Sequence, residues 1–174
     1  MKKPLGLTGI IVCVFLIAAC QPQDNQQEAP ANGMVLTGGL SGNAFTIATG
    51  NEDEIMMDLI EAFNRMDAEA LWASSADTIS FHRSDGTVGP LTQADMAGFF
   101  STVDSLSWDV DAVIPVQAQG SNRVSVLVDS RETLYMKDGT VDRMKLFERF
   151  IFEDGLLVGV RQWKAAMSPE DQSM

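Results

Sequence analysis

The spacing of apolar residues changes along the chain from a helical period to a strand period. Ile55, Leu59 and Phe63 recur at every fourth position, which predicts an amphipathic helix. Asn51 stands at the N-cap position of this helix and Glu54 at its capping-box position, so we expect the helix to begin there.

Shorter elements follow the first helix. Residues 68–75 are predicted to form a second helix, and residues 78–83 a strand that ends at the turn 84–86. Thr92 is predicted to cap a third helix, because Asp95 occupies its capping-box position. The apolar stripe of that helix comprises Met96, Phe99, Phe100 and Val103.

The second half of the chain alternates apolar and polar residues, which is typical of strands. Strands are predicted over residues 107–115, 124–136, 144–152 and 157–163, joined by turns at 137–139 and 154–155. Helices thus come first, with one strand among them, and a meander of strands follows. This order predicts an α+β fold, in which a curved antiparallel sheet carries the helices on one face.

The first residues predict a lipoprotein signal peptide over residues 1–19. Two lysines precede an apolar segment that is too short to span a membrane, and small residues follow it. The stretch Ile17-Ala18-Ala19-Cys20 resembles a bacterial lipobox. That resemblance implies cleavage after Ala19, attachment of lipid and palmitate-type acyl chains to Cys20, and anchoring in a membrane. The alternative is an ordinary secretory signal followed by a free cysteine.

Composition sets the remaining boundaries. Residues 20–50 are predicted to be a flexible linker, residues 51–166 a single folded domain, and residues 167–174 a polar tail.

Gln21, where Asp would favour the inner membrane, indicates the periplasmic face of the outer membrane. The formal net charge of −12 argues against binding to nucleic acid or anionic head groups. The predicted domain has one His and no Cys, so no disulfide, metal site or cofactor is predicted.

Three stretches of the predicted domain carry a family resemblance: Asp67-Ala-Glu-Ala-Leu-Trp72, Asp77-Thr-Ile-Ser-Phe-His82 and Glu148-Arg-Phe-Ile-Phe-Glu-Asp-Gly155. Together they resemble the nuclear-transport-factor-2-like (NTF2-like) superfamily in its SnoaL-like branch. The resemblance implies a cone, in which a bent sheet wraps around the helices and leaves a pocket at the open end. The superfamily includes ketosteroid isomerase, polyketide cyclases and dehydratases, and also non-catalytic binding and dimerisation domains, so the fold alone does not fix the function.

In this family the residues on either side of the last hairpin share a face. A two-residue turn at 154–155 pairs Phe152 with Leu157 and, in the same register, Glu148 with Arg161. The same register pairs Phe150 with Gly159 and Leu146 with Trp163, and a three-residue loop would break it. The candidate pocket residues are His82, Trp108, Glu132, Glu148, Phe150, Arg161 and Trp163.

Glu148 and His82 are the candidates for catalysis. By the family resemblance, Glu148 matches an acid that stays protonated in ketosteroid isomerase and helps to form its oxyanion hole, and His82 falls near the general base. The chain departs from that pattern because the base there is a carboxylate and because the first helix here contains no Tyr. The structural alternatives are an ion pair of Glu148 with Arg161 and a half-exposed His82 at a strand end. Glu132 is either a second pocket acid or a residue in water at the sheet margin.

These observations leave three hypotheses for function. The sequence favours a non-catalytic module that binds a small apolar or amphipathic ligand, or a protein partner, in the cone. The second hypothesis is an isomerase, dehydratase or cyclase that uses His82 and Glu148 as an acid/base pair. The third is a structural dimerisation module, since Phe147 and Ile151 are predicted to face outward among basic residues, and a homodimer is therefore expected.

Overall fold

The computed structural model describes residues 33–167, which form one eight-stranded sheet and three helices. The helices are α1 (Glu52–Asn64), α2 (Ala68–Trp72) and α3 (Gln93–Thr102). The strands are β1 (Gly33–Met34), β2 (Ala44–Ile47), β3 (Ser75–His82), β4 (Val88–Thr92), β5 (Val103–Ala118), β6 (Arg123–Met136), β7 (Val141–Glu153) and β8 (Leu156–Ala166). The predicted α+β class is confirmed. The predicted signal peptide, Cys20 and residues 168–174 lie outside the described residues.

The strands form a single sheet in the order β1-β2-β5-β6-β7-β8-β3-β4, and only the contact between β3 and β8 is parallel. The long strands β5 to β8 form a meander, and α1 packs against β5 and β6. Met56, Val126 and Phe152 are fully buried where the helix meets the sheet. Each such side chain stabilises the fold by about 1.5–3 kcal/mol. Within residues 33–167, no helix is long and apolar enough to cross a membrane.

Side-chain caps fix the starts of α2 and α3, whereas the cap predicted for α1 does not form. The capping box of α3 is confirmed, since Asp95 accepts a hydrogen bond from the Thr92 amide at 2.9 Å and donates its own amide to Thr92 Oγ1 at 3.3 Å. Asn51 makes no side-chain capping bond to α1, so that part of the prediction is wrong. Asp67 instead caps α2 by accepting from the Ala70 amide at 3.0 Å. Val103 does not extend α3 but begins β5 as a buried residue.

The hairpin between β7 and β8 begins as predicted and then changes register. Asp154 and Gly155 both have positive φ angles, as a two-residue primed turn requires, and Phe152 pairs with Leu157. A bulge follows, because Ile151 pairs with Gly159 and leaves Val158 as the extra residue.

The bulge reverses which residues of β8 face the helices. Glu148 consequently pairs with Gln162, and Arg161 pairs with Arg149 instead. The predicted pairs of Glu148 with Arg161, Phe150 with Gly159, and Leu146 with Trp163 are therefore wrong.

Part of the predicted linker belongs to the sheet. Residues 45–47 pair with residues 116–118 of β5, and residues 33–34 pair with residues 44–45. The Asn43 side-chain amide donates to the Gln119 carbonyl at 2.7 Å. The run Ala-Phe-Thr-Ile has the aromatic and β-branched residues that suit a strand, but its polar surroundings concealed it. The linker prediction is therefore wrong for residues 33–34 and 44–47.

Candidate functional site

A cavity of about 470 Å³ lies between the helices and the inner face of the sheet. α1 contributes Leu59 and Phe63, β3 contributes Ile79, and β7 contributes Leu146 and Phe150 to its mostly apolar wall. These side chains face inward because the apolar positions of α1 and the alternate positions of the strands are directed at one another. The cavity is the space that the core side chains leave unfilled.

Trp108 forms one wall of the cavity and is held in place by two elements. The Asn64 side chain, at the end of α1, donates to the Trp108 carbonyl at 3.1 Å and accepts from the Trp108 amide at 2.7 Å. The Trp108 indole Nε1–H donates to Ser130 Oγ at 2.9 Å. Phe63 packs edge-on to the indole with ring centres 5.2 Å apart, and Phe150 lies at 6.0 Å on another side. The indole is therefore a fixed aromatic surface.

Glu148 is the most buried carboxyl group that lines the cavity. Its side chain on β7 is only 5% exposed, and Oε1 accepts a hydrogen bond from Gln162 Nε2 at 3.1 Å. Burial in apolar surroundings raises the pKa of Glu148 to about 7, the hydrogen bond from Gln162 opposes this rise, and the nearby Glu132 adds to it.

Glu132 is a second acid of the same cavity. It lies on β6 between Trp108 of β5 and Met144 of β7, and it is 7% exposed. No donor among residues 33–167 hydrogen-bonds its carboxyl group. Burial raises the pKa of Glu132 to about 7, Asp142 raises it further, and Lys164 lowers it. Of the two alternatives for Glu132, the structure supports the pocket acid.

Charged residues surround the mouth of the cavity. Asp95, Asp142, Arg83 and Lys164 all contribute to the lining. The Arg83 guanidinium lies over the Phe81 ring at 5.0 Å, and Asp95 is occupied by the α3 capping box. The cavity thus has an apolar body, two buried acids and a polar entrance.

Three predicted pocket residues lie on the other face of the sheet. Arg161 Nη2 donates to His82 Nδ1 at 3.2 Å, and Trp163 is 45% exposed beside Phe147. The prediction that His82, Arg161 and Trp163 line the cone is wrong, because the bulge at Val158 turns Arg161 and Trp163 of β8 outward. His82 points outward as well, since it pairs with Arg161 across the parallel contact.

The structure therefore brings together only part of the predicted site. Trp108, Glu132, Glu148 and Phe150 line one cavity, whereas His82 and Glu148 do not share it. The sequence analysis missed Gln162, whose inward orientation depends on the bulge. Within residues 33–167, no group of three or more His, Cys, Asp or Glu side chains is placed to hold a metal ion. Two acids with a pKa near neutrality can donate or accept hydrogen bonds and exchange protons with a bound molecule.

Comparison with solved structures identifies the fold. A candidate dehydratase of the NTF2-like family from Streptomyces avermitilis aligns with a TM-score of 0.54 at 12% identity, over 67% of this chain and 95% of that one. A SnoaL-like protein from Shewanella denitrificans, named as a candidate polyketide cyclase, aligns with a TM-score of 0.53 at 14% identity, over 71% and 98%. An NTF2-like protein of unknown function from Burkholderia pseudomallei aligns with a TM-score of 0.50 at 18% identity, over 66% and 90%. No family model and no curated protein sequence matches the chain. The chain has the NTF2-like fold, and the predicted resemblance is confirmed for the fold.

Proposed function

We propose that this chain is a lipid-anchored domain of the cell envelope that binds a small amphipathic molecule, without catalysis, in its cone. The observation that carries the proposal is the cavity of about 470 Å³, whose apolar wall surrounds the polar groups of Glu132, Glu148 and Gln162. Small-molecule sites have this composition and volumes of about 300–1,000 Å³. The lipid anchor on Cys20 and the outer-membrane location rest on the sequence alone.

The apolar wall and the buried polar groups would contact different parts of such a ligand. An apolar body packed against Phe63, Trp108 and Phe150 would gain about 25 cal/mol for each Å² removed from water. A polar group of the ligand would reach the carboxyl of Glu148 and the carboxamide of Gln162, which are already joined by a hydrogen bond. The ligand would therefore be oriented with its polar end at β7 and β8.

Native mass spectrometry of protein purified from its own cells tests the proposal. The form to be purified begins at residue 21 and retains every helix and strand that the structure describes. Because it lacks Cys20, it carries no lipid and can be purified without detergent. We expect an additional mass that disappears on denaturation. Leu146→Phe, which fills part of the cavity, should abolish it, whereas Phe147→Leu on the outer face should retain it. Protein that carries no ligand and takes up no apolar probe would contradict the proposal.

One observation favours a second candidate, an enzyme that moves a proton. Glu132 and Glu148 lie in one cavity with pKa values of about 7, which suits general acid–base catalysis at neutral pH. This pair replaces the predicted pair of His82 and Glu148. Incubation with ketones in D₂O, followed by proton NMR, would detect exchange of protons next to the carbonyl. If Glu132→Gln and Glu148→Gln exchange these protons as fast as the unaltered chain, this candidate is excluded.

A further inference from the structure

Neither buried acid of the cavity forms a salt bridge with any residue in 33–167. Glu148 is hydrogen-bonded only by the neutral Gln162, and Glu132 accepts no hydrogen bond from any residue in 33–167. The ion pairs of that part of the chain join Arg65 to Glu61, Arg123 to Glu153, and Arg131 to Asp111, all away from the cavity. A buried carboxyl group without a cation is costly when ionised, so the cavity favours a ligand that supplies positive charge.

The charged residues that line the cavity also favour a cationic ligand. Its lining contains the acids Glu132, Glu148, Asp95 and Asp142 and the bases Arg83 and Lys164. Arg83 is held over Phe81 at the entrance. Lys164 is exposed and lowers the pKa of Glu132, but neither base forms a salt bridge with Glu132 or Glu148. The two bases balance Asp95 and Asp142, so the excess of acidic groups lies at Glu132 and Glu148, where it favours a cation over an anion.

The aromatic wall adds a further preference for cations. Phe63 and Phe150 each lie beside Trp108, with ring centres 5.2 Å and 6.0 Å from that of the indole, and all three line the cavity. Aromatic faces attract cationic nitrogen, and Trp does so most strongly. Aromatic rings beside unpaired carboxyl groups therefore suit a nitrogen that is both positively charged and attached to an apolar body.

The sheet register defines where that nitrogen would lie. Glu132 pairs with Met144, and Glu148 pairs with Val128, so the row of Ser130 and Leu146 separates the two acids. Their Cα atoms are roughly 14 Å apart by strand geometry, and the two side chains narrow this gap. Both carboxyl groups line the same cavity, and the charge of Glu132 contributes to the raised pKa of Glu148. A single cationic group within this gap would be attracted to both.

We propose that the cone selects amphipathic amines, with the cationic nitrogen at the carboxyl groups of Glu132 and Glu148 and the apolar body against the aromatic wall. This inference rests on the proposed binding function and narrows its ligand to one chemical class. The amine stabilises the ionised form of both acids, so its binding at neutral pH releases protons to the solvent.

Three probes of one shape separate the charge from the apolar body: 2-naphthylmethylamine, 2-naphthalenemethanol and 2-naphthoate. The full chain in lipid nanodiscs is titrated with each probe by calorimetry near pH 7, with empty nanodiscs as the blank. We expect the amine to bind at least about tenfold tighter than the alcohol, which corresponds to ~1.4 kcal/mol. We expect the naphthoate to bind most weakly. Titration in two buffers of different ionisation enthalpy should show proton release for the amine only.

Matched variants assign the effect to the two acids. Glu132→Gln and Glu148→Gln retain side-chain shape, and each should cost the amine about tenfold in affinity. The alcohol should lose much less, because a glutamine amide can still form a hydrogen bond with its hydroxyl group. Glu54→Gln is the control, because Glu54 is exposed on α1 and lies outside the cavity. Equal affinity for amine and alcohol, or tightest binding of the naphthoate, would overturn the inference and leave the proposed function standing. If no probe binds, the proposed function fails as well.

Discussion

Replacing Glu148 with glutamine should make the protein more stable at neutral and alkaline pH. In the unfolded chain this acid ionises with its ordinary pKa of 4.5, whereas burial raises its pKa in the folded chain to about 7. Between these values the folded state holds a proton that the unfolded state has released. The free energy of unfolding therefore falls as the pH rises through this window. The loss is complete above the folded pKa.

The magnitude follows from the two pKa values. One pKa unit corresponds to about 1.36 kcal/mol, so the step from 4.5 to about 7 removes about 3 kcal/mol of stability by pH 8. Glu148→Gln carries no proton equilibrium, and its amide oxygen can still accept the hydrogen bond from Gln162. The variant should therefore retain up to about 3 kcal/mol that the unaltered chain loses at alkaline pH.

Urea denaturation at several pH values between about 5 and 8 measures this difference. Acids whose folded pKa is lowered, such as Asp95 and Glu153, are ionised in both states over most of this range and contribute little slope above about pH 6. Glu54→Gln is the matched control, since its carboxyl is exposed, and it should leave the pH dependence unchanged. If the unaltered chain and Glu148→Gln lose stability in parallel between pH 5 and pH 8, Glu148 is not held in an apolar cavity and the reasoning is refuted.

Three further substitutions test the supports of the cavity. Ser130→Ala leaves the buried Trp108 Nε1–H without an acceptor and should lower the free energy of unfolding by about 1–3 kcal/mol, as measured in urea; an unchanged midpoint would contradict the hydrogen bond. Asn64→Ala removes two hydrogen bonds to the Trp108 backbone and should cost about 2 kcal/mol, with faster hydrogen exchange of the Trp108 amide; unaltered exchange would argue against the contact. Gln162→Leu removes the hydrogen bond that lowers the pKa of Glu148, so carbon-13 NMR titration should give a value above about 7, and a lower value would show that Gln162 has another role.

Local signals in the sequence were enough to predict most helices and strands, because short-range contacts determine them. The capping box of Thr92 and Asp95 and the two-residue turn at Asp154 and Gly155 depend only on residues within a few positions of each other. These features located α3 and the last hairpin.

Local signals could not predict which side chains of β8 face the cavity, because this depends on a contact between strands that are distant in the sequence. Gly159 of β8 pairs with Ser80 of β3, and the bulge at Val158 lies directly beside this contact. No pattern within residues 156–166 reports that contact. His82 and Arg161 were consequently assigned to the cavity, whereas Gln162 was missed.

Glu132 shows the same limit for the site. The alternation along β6 predicted that Glu132 shares a face with apolar residues. The same pattern could not show whether that face lines a pocket or lies at the margin of the sheet. Pairing with Trp108 of β5 and Met144 of β7 places it well inside the sheet. The volume of the cavity likewise depends on how α1 packs over the strands, which no local pattern encodes.

The central claim is that the cone, and not the outer face of the sheet, holds the ligand. Intermolecular nuclear Overhauser effects between 2-naphthalenemethanol and the protein test it most directly, because Trp108 lines the cavity whereas Trp163 packs beside Phe147 on the outer face. The account predicts contacts from the naphthyl protons to the Trp108 indole and the Leu146 methyl groups. Contacts to Trp163 and Phe147, with none to Trp108, would contradict it.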